Sequence, residues 1–414
     1  MAMNMTEKIL ARTSGQATVG PGDLVVCEVD RSVMYDLNFY ATRFEKDICR
    51  LHDPAKVAIV LDHAVPAPTI ADAANHKRAR EFAARLGIQH FYDLGSQGIC
   101  HQVIAEQALA LPGQLLACGD SHSCAAGAFN CAARGMGSEM VSILCTGKTW
   151  FRVGTTVRYS LTGELPERVS AKDLFLHIAG TYGDHANTNV EFGGHGVQSL
   201  TMMQRHTISA MCAEISADFA LFPADGQTHR YLEERNASSY EPVASDPDAS
   251  YSSERTIDLG SLEPAVALPH NVVKNVRGAR DLGEVRIDQA FVGSCANGKL
   301  EDIGAAACMI KGKRVAAGVR LIVTPSSQAI YLEAVRAGYV ETLLAAGAVV
   351  TNSTCGACAG LHMGVLGPGE RCITSSTRNF QGRMGSPDAE IFMASSETVT
   401  ASAIRGVITD PREV

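Results

Sequence analysis

The chain has 414 residues, of which 46% are hydrophobic and 19% charged, and its formal net charge is −8. This length predicts two or three domains, and the acidic balance excludes the basic surface typical of nucleic-acid-binding proteins. No apolar stretch approaches the roughly 20 residues of a membrane-spanning helix, and the N-terminus lacks a secretory pattern. Thirteen cysteines without secretory features indicate a reducing compartment, for which the cytoplasm is the expectation, and argue against a disulfide framework.

Short apolar runs alternate with alanine-rich, helical stretches along the chain. Residues 57–61 predict a buried strand, residues 71–87 a helix, and residues 115–118 a strand that leads into a Gly-Asp-Ser-His turn. Later strands are predicted at residues 286–292, 320–323, 348–351 and 371–375. This alternation predicts an α/β fold with parallel sheets covered by helices, and ligand chemistry in such folds collects beyond the carboxyl ends of the strands.

Two interruptions suggest how the chain is divided. Residues 236–255 are rich in Ser, Asp and Pro and indicate a linker or surface excursion, and Gly and Pro break the apolar pattern near residues 158–169. We therefore predict three α/β domains. These are residues 1–155, residues 156–255, which end in the polar linker, and residues 256–414.

Three cysteines stand apart by their context. Cys295 follows a predicted strand in a Val-Gly-Ser-Cys-Ala-Asn-Gly turn, and Cys355 and Cys358 form Cys-Gly-Ala-Cys in a second glycine-rich turn. They could belong to two unrelated turns, to a zinc site, which normally needs four protein ligands, or to a thioredoxin-like redox pair, which needs no third cysteine. Three thiolates also fit a [4Fe–4S] cluster in which one iron lacks a protein thiolate. Such an iron can polarise a C–O bond as a Lewis acid.

Four segments place histidines and carboxylates in predicted loops. They contain Asp62-His63, His101, Asp120-Ser-His122 and Glu191. A carboxylate beside a histidine fixes its tautomer and raises its pKa, which suits general-acid catalysis. A single loop histidine is more often structural, but four such segments together with the three cysteines favour an active site.

These motifs resemble those of the aconitase superfamily over nearly the whole chain. Gly-Ser-Cys-Ala-Asn-Gly resembles its GSCTN segment, and Cys-Gly-Ala-Cys-Ala-Gly resembles its second cluster segment. The likeness is strongest to the large subunits of 3-isopropylmalate dehydratase and homoaconitase, down to Ser-Thr-Arg-Asn-Phe-Gln-Gly-Arg near the C-terminus. The resemblance implies three-layer α/β/α domains around a [4Fe–4S] cluster. It also implies reversible dehydration of a small 2-hydroxy di- or tricarboxylic acid, such as 3-isopropylmalate, homocitrate or a smaller alkylmalate.

The resemblance also implies roles for individual residues. His63, beside Asp62, corresponds to the proton donor for the leaving hydroxyl. Two supporting pairs are expected, His101 with Asp120 and His122 with Glu191. The expected cluster ligands are Cys295, Cys355 and Cys358. The expected substrate-binding residues are Arg378 and Arg383, with Asn297 as a weaker candidate.

The sequence departs from the family pattern where a substrate contact is expected. Relatives have His-Asp before a Thr/Ser-Pro segment, whereas this chain has Tyr35-Asp36-Leu-Asn, which leaves the substrate open. The resemblance places the serine base and further substrate arginines in a swivelling domain that follows the cluster domain in single-chain relatives. We therefore expect a separate small subunit to supply them.

Two readings from other classes remain. An iron-responsive, non-catalytic RNA-binding protein is disfavoured by the net charge of −8. A zinc-stabilised structural protein would contain one zinc where a cluster contains four irons and four sulfides.

Overall fold

The computed structural model describes residues 2–40, 46, 48–237 and 239–414. These residues form three helix-covered sheets and a two-stranded ribbon. None of the helices within this part of the chain is long and apolar enough to cross a lipid bilayer.

The first sheet and the ribbon lie in the N-terminal part. Their strands are β1 (Leu24–Glu28), β2 (Arg31–Tyr35), β3 (Val57–Val60), β4 (His90–Tyr92), β5 (Leu115–Cys118), β6 (Ala132–Gly135) and β7 (Lys148–Arg152). The helices are α1 (Met5–Ser14), α2 (Ile70–Leu86), α3 (Cys100–Glu106) and α4 (Met140–Thr146). The sheet is parallel with the order β4-β3-β2-β5-β6, while β1 and β7 pair antiparallel in the ribbon.

Strand β3 and helix α2 show how the local sequence specifies this part. All four residues of β3 are apolar and buried, as expected of an inner parallel strand that is covered on both faces. Helix α2 begins where the Thr69 side chain accepts a hydrogen bond from the Asp72 amide, and it ends at Gly87, whose φ is +72°. The strand and helix predicted over residues 57–61 and 71–87 are thereby confirmed.

The second sheet lies in the middle of the chain. Its strands are β8 (Thr155–Thr162), β9 (Thr188–Gly193), β10 (Ala220–Leu221) and β11 (Ser253–Asp258), and its helices are α5 (Ala171–Tyr182), α6 (Met202–Met211) and α7 (Gly226–Glu233). The sheet is parallel, with the order β10-β9-β8-β11. Residues 158–162 of the predicted break belong to β8, because Tyr159 and Leu161 alternate with more exposed residues and bury one face of the strand.

The third sheet takes the C-terminal part. Its strands are β12 (Ala265–Ala267), β13 (Val276–Gly278), β14 (Gln289–Val292), β15 (Arg320–Val323), β16 (Val349–Val350), β17 (Arg371–Thr374) and β18 (Glu390–Ala394). The helices are α8 (Ser294–Asn297), α9 (Leu300–Ile310), α10 (Gln328–Arg336), α11 (Tyr339–Ala345) and α12 (Ser396–Arg405). The order is β13-β12-β18-β17-β14-β15-β16, and the strands from β18 to β16 are parallel.

The strand order reverses at one point in the first sheet and at one point in the parallel part of the third. In the first sheet the reversal lies between β2 and β5, and in the third it lies between β14 and β17. A reversal leaves a crevice beyond the carboxyl ends of the strands, because the two flanking connections leave in opposite directions. The predicted α/β architecture with parallel sheets is confirmed, and its two crevices are where ligand chemistry is expected.

Candidate active site

Loops from the two crevices line one cavity of about 320 Å³. Loops that follow β2, β3 and β5 contribute Tyr35, His63 and the residues from Asp120 to His122, and α3 contributes His101. Loops that follow β14, β16 and β17 contribute the remaining polar residues, which are Ser294, Cys295, Cys355, Cys358, Thr377, Arg378 and Arg383. Most of the residues predicted from sequence as site residues therefore converge on one place.

His63 is held by three carboxylates. Its Nδ1 lies 2.5 Å from Asp62 Oδ1 and 3.8 Å from Asp36 Oδ1, and its Nε2 lies 3.7 Å from Asp120 Oδ2. Burial disfavours the charged imidazolium, but these carboxylates outweigh it and raise the pKa of His63 to about 10. His63 is therefore protonated at neutral pH. Its Nδ1 contacts Asp62, and its Nε2 does not.

Asp36 fixes the backbone of the same loop. Its two carboxylate oxygens accept hydrogen bonds from the amides of His63 and Ala64, at 3.1 and 2.8 Å. Burial opposes ionisation, yet His76 and His63 hold the pKa of Asp36 below its usual range. The Asp36 carboxylate therefore fixes the backbone of the His63 loop and adds to the larger effect of Asp62 on the charge of the imidazole.

Asp120 joins the histidines of the first crevice. Its Oδ1 accepts hydrogen bonds from His101 Nε2 at 2.7 Å and from the His122 amide at 3.0 Å. Burial opposes its ionisation, but His101 and His122 hold the pKa of Asp120 well below its usual range. Burial lowers the pKa of His101, so that this imidazole is neutral and donates from Nε2. The predicted pairing of His101 with Asp120 is present.

His122 pairs with Glu214, which corrects the expected pairing with Glu191. His122 Nε2 donates to Glu214 Oε1 at 2.8 Å, and the same oxygen accepts from Arg378 Nε, also at 2.8 Å. Burial opposes the charged states of both partners, but their attraction raises the pKa of His122 and lowers that of Glu214. Glu214 therefore connects a histidine of the first crevice to an arginine of the second.

Glu191 lies outside the cavity for a reason of position within its strand. It sits inside β9, where its neighbours across the sheet are Arg158 and Leu221, and it does not lie in a loop beyond the end of a strand. Its carboxylate accepts hydrogen bonds from Ser245 Oγ and Tyr251 Oη, at 2.8 and 3.2 Å, and from a backbone amide of α1. In the structure, Glu191 fastens the polar linker and the N-terminal helix to the second sheet.

The three cysteines Cys295, Cys355 and Cys358, here called the cavity cysteines, are buried and unbridged. Cys295 lies two residues after Gly293, where a Cβ would come within 2.7 Å of the buried Phe291 ring, so a larger residue would require that ring to shift. The loop of the other two is tied to the His63 loop. The Cys355 amide donates to Asp62 O at 3.0 Å, and Thr354 Oγ1 lies 2.9 Å from the same oxygen.

The arginines and Asn297 are placed differently. Arg378 and Arg383 line the cavity, and the guanidinium of Arg383 faces the thiols of Cys358 and Cys355, its strongest electrostatic partners. Asn297 does not line the cavity, because its Nδ2 donates to Asp302 Oδ1 at 2.8 Å and turns the amide toward α9. The structure thus brings both arginines to the site and leaves Asn297 outside it.

The donor set of the cavity fits a metal–sulfur group. The cavity cysteines offer three soft sulfur ligands, and no fourth cysteine lines the cavity within the described residues. Two cavity residues carry a buried nitrogen without a hydrogen-bond partner in the described part of the chain, His101 at Nδ1 and Arg383 at Nε. Because buried donors and acceptors normally have partners, these atoms point to a further occupant of the site. Three thiols suit a group with one metal free of protein thiolate better than a four-ligand zinc site.

Glu214 is the site residue that sequence reasoning missed, and Tyr35 was singled out only as a departure from the family pattern. The Tyr35 ring packs against the His63 imidazole, with their centroids 4.8 Å apart. Tyr35 stands where the family pattern has a histidine, and it lines the cavity. Glu214 lies in Met-Cys-Ala-Glu-Ile-Ser, where a single acid between apolar residues after α6 was an available but unspecific signal.

Comparison with known proteins places these residues in a family. Residues 34–406 match the Aconitase family (aconitate hydratase). The 3-isopropylmalate dehydratase large subunit of Mycolicibacterium smegmatis is 55% identical over 100% of this chain and 98% of its own. The probable methanogen homoaconitase large subunit of Methanothermobacter thermautotrophicus is 41% identical, covering 99% of this chain and 98% of its own. The 2,3-dimethylmalate dehydratase large subunit of Eubacterium barkeri is 40% identical over 100% of both chains. This chain therefore belongs to the aconitase family.

Proposed function

We propose that this chain is the large subunit of an iron–sulfur hydro-lyase that reversibly dehydrates 3-isopropylmalate. The observation that carries the proposal is the convergence of three unbridged thiols, a protonated histidine and two arginines on one cavity. Dehydration of a hydroxy acid needs a proton for the departing hydroxyl, a base for the proton next to a carboxylate, and cations that hold the carboxylates. The cavity supplies the first and the third of these.

The cavity cysteines would hold a [4Fe–4S] cluster. When bound, the cluster supplies a Lewis acid, because the iron without a protein thiolate can polarise the C–O bond that breaks. Arg383 stabilises the thiolate form of these cysteines, since its guanidinium interacts with two of them within the buried site. A zinc-stabilised structural role would leave the charged histidines unexplained.

His63 is the proton donor in this proposal. Asp62 holds Nδ1 and leaves the proton on Nε2 available to the leaving hydroxyl. When that proton is transferred, the neighbouring carboxylates of Asp36 and Asp120 favour its recovery, because they stabilise the imidazolium. In the hydration direction the same nitrogen accepts a proton.

The other histidines hold the opposite side of the cavity in fixed protonation states. His101 is neutral and donates through Nε2 to Asp120, which leaves Nδ1 as a lone pair. His122 is favoured as the imidazolium by Asp120 and Glu214. One neutral and one charged imidazole can therefore orient the departing water differently, and neither needs to exchange a proton with the substrate.

The composition of the cavity favours a dicarboxylate with an apolar substituent. Besides Arg378 and Arg383, its lining includes the apolar side chains Leu37, Ile99 and Leu361. Two arginines match two carboxylates by bidentate hydrogen bonds, and the apolar side chains suit an isopropyl group. Homoaconitate has a third carboxylate and would need a further cation, whereas 2,3-dimethylmalate has a smaller apolar part. These two acids are the alternative substrates.

A separate small subunit completes the proposed enzyme. The described residues of the cavity include no group assigned as the base for the α-proton, which in the family pattern is a serine of the swivelling domain. Four exposed apolar side chains lie in the loops that carry Cys358 and Arg383. This apolar rim consists of Leu361, Met363, Val365 and Phe380. We assign the apolar rim to the small subunit, since exposed apolar side chains beside an incomplete site suit a docking surface.

The test uses the chain reconstituted anaerobically with iron and sulfide, with and without a candidate small subunit. We expect about four irons per chain, slow turnover alone, and full turnover with the partner, highest on 3-isopropylmalate among the three acids. Phe380→Asp should weaken association but keep the iron, whereas Leu344→Asp, at a residue exposed to 53% on α11, should change neither. Full rates from the isolated chain would refute the two-subunit proposal, and absence of iron would refute the cluster.

A further inference from the structure

Lys172 is a fully buried lysine that the proposed reaction does not use. It lies on α5 with none of its surface exposed. Its Nζ donates to the carbonyl oxygen of Ser376 at 3.0 Å and lies 3.3 Å from the sulfur of Met211. Neither contact is a carboxylate, and no ion pair to Lys172 occurs within the described residues. An isolated buried ammonium is unfavourable unless a nearby negative charge compensates it.

The strongest electrostatic attraction on the Lys172 ammonium comes from the cavity cysteines. The strongest electrostatic partner of Lys172 is the Cys295 sulfur, followed by Asp302 and then by Cys358. The Asp302 carboxylate also accepts hydrogen bonds from Asn297, Ser396 and the backbone amide of Lys299, just before α9. Two of the three strongest attractions on Lys172 therefore come from cavity cysteines.

The geometry places Lys172 directly behind the wall of the cavity. Ser376, whose carbonyl oxygen accepts from Nζ, precedes Thr377, and Thr377 Oγ1 lies 4.0 Å from Cys358 Sγ. Thr377 and Arg378 both line the cavity. The ammonium thus supports the segment that separates it from the thiols.

A second buried lysine stands at the same thiols. Lys299 is 1% exposed, and its Nζ donates to the carbonyl oxygen of Cys295 at 2.9 Å and to His206 Nδ1 at 2.8 Å. With Arg383, the surroundings of the three cavity cysteines hold three cationic side chains. The Asp302 carboxylate is the strongest electrostatic partner of Lys299, and the Cys295 sulfur is the next. Buried cations beside these thiols favour their thiolate form, because neutral thiols would leave the cations less compensated.

We propose that Lys172 is a positioning residue for the cluster, a buried counter-charge that stabilises the thiolate ligands and raises the cluster's reduction potential. This inference rests on the proposed function, because it needs a cluster on the cavity cysteines. Removing the charge disfavours the reduced cluster, which carries the extra negative charge, and so lowers the reduction potential. It also weakens the hold of the thiolates on iron.

Two variants separate the charge from the hydrogen bond. Lys172→Met removes both, whereas Lys172→Gln keeps an N–H group for the Ser376 carbonyl oxygen and removes only the charge. Lys8→Met is the matched control, since Lys8 is a partly exposed lysine paired with Asp246 at the N-terminal helix. Each protein is reconstituted anaerobically, and its cluster is titrated by electron paramagnetic resonance against solution potential. Iron release to a chelator and thermal unfolding with and without the cluster are measured on the same samples.

At a fixed solution potential, we expect the ratio of oxidised to reduced cluster to be about tenfold higher in both Lys172 variants than in the wild type. This change corresponds to a reduction potential lower by about 59 mV for a one-electron couple. Iron should leave both variants several-fold faster, and Lys8→Met should match the wild type. Without the cluster, both variants should be at least as stable as the wild type, because an uncompensated charge has been removed. With the cluster they should be less stable, whereas a merely structural lysine would lower stability in both states.

The proposal is overturned if Lys172→Gln keeps the wild-type potential, or if the variants fail to fold even without the cluster. Absence of a cluster from the wild-type protein would refute the proposed function instead, so the two failures are distinguishable.

Discussion

Replacing Glu214 by glutamine tests the link between the two crevices. Glutamine keeps the shape of the side chain and can still accept hydrogen bonds, but it removes the negative charge. The single oxygen Oε1 accepts from both His122 Nε2 and Arg378 Nε at 2.8 Å. The substitution therefore weakens two charge-assisted hydrogen bonds at once, one to each side of the cavity.

The expected magnitude follows from those two contacts. Hydrogen bonds to charged groups contribute about 1.5–3 kcal/mol each, roughly twice the neutral value. Losing half of each costs about 1.5–3 kcal/mol in total, which corresponds to about 10–100-fold in rate if the loss falls on the transition state. The pKa of His122 should also fall, because Glu214 helps to raise it. The alkaline decline in activity should therefore move to lower pH.

The assay measures kcat, KM and the pH profile on the reconstituted two-subunit enzyme, with Glu191→Gln as the matched control. Glu191 is more deeply buried than Glu214, and it contacts Ser245, Tyr251 and the N-terminal helix. Its replacement should lower the free energy of unfolding by roughly 1–2 kcal/mol and leave kcat unchanged. Loss of turnover in Glu191→Gln, together with normal turnover in Glu214→Gln, would refute the assignment.

Three further predictions concern the ligands, the proton donor and the substrate cations. Serine at any of the cavity cysteines should reduce bound iron to background, while Cys308→Ser, at an exposed residue of α9, should keep wild-type iron; equal iron in all variants would contradict the ligand assignment. His63→Ala should lower kcat about 10²–10⁴-fold with a smaller effect on KM, and near-normal turnover would remove it from the mechanism. Because His63 acts in its protonated form, activity should fall as pH rises through about 10. The protonated His63 also stabilises the fold; this contribution is full below the ordinary histidine pKa of about 6.5 and should be lost as pH rises through about 10. Arg383→Lys should raise KM, because an ammonium cannot replace a bidentate guanidinium; an unchanged KM for all three acids would argue against substrate contact.

Much of the fold was predictable because the inner strands of a parallel sheet are short runs of apolar residues, which can be recognised in the sequence. Residues 115–118 and 320–323 are short apolar runs, and they coincide with β5 and β15. The first predicted strand of the third sheet begins three residues late, at Gln289, because Arg286 and Ile287 pair with residues 406–407 instead, and the ladder with β15 and β17 starts only at Asp288 and Gln289. Apolar patterning identifies which residues are buried, but the point where pairing begins depends on the neighbouring strands.

The site was predictable where residues adjoin each other in sequence and not where they meet only in the fold. Asp62 and His63 are neighbours in the chain, and the structure pairs them at 2.5 Å. The partner of His122 is 92 residues away, and nothing in the local sequence distinguishes Glu214 from Glu191. Both are single acids among apolar residues. Glu214 follows helix α6 and Glu191 lies within strand β9, and only this difference in position decides which of them pairs with His122.

The same backbone contacts position the loop that carries Cys355 and Cys358, here called the cysteine loop, and the loop that carries His63. Cys355 and Gly356 donate their amides to the carbonyl oxygens of Asp62 and His63, at 3.0 and 3.4 Å. Thr354 Oγ1 bridges the same two carbonyl oxygens at 2.9 and 3.1 Å. Because short loops from different sheets are joined here by several hydrogen bonds, a displacement of the cysteine loop must also move the His63 backbone. The position of His63 relative to Cys355 is therefore set within this chain, so in the proposed enzyme the small subunit would have to supply only the base.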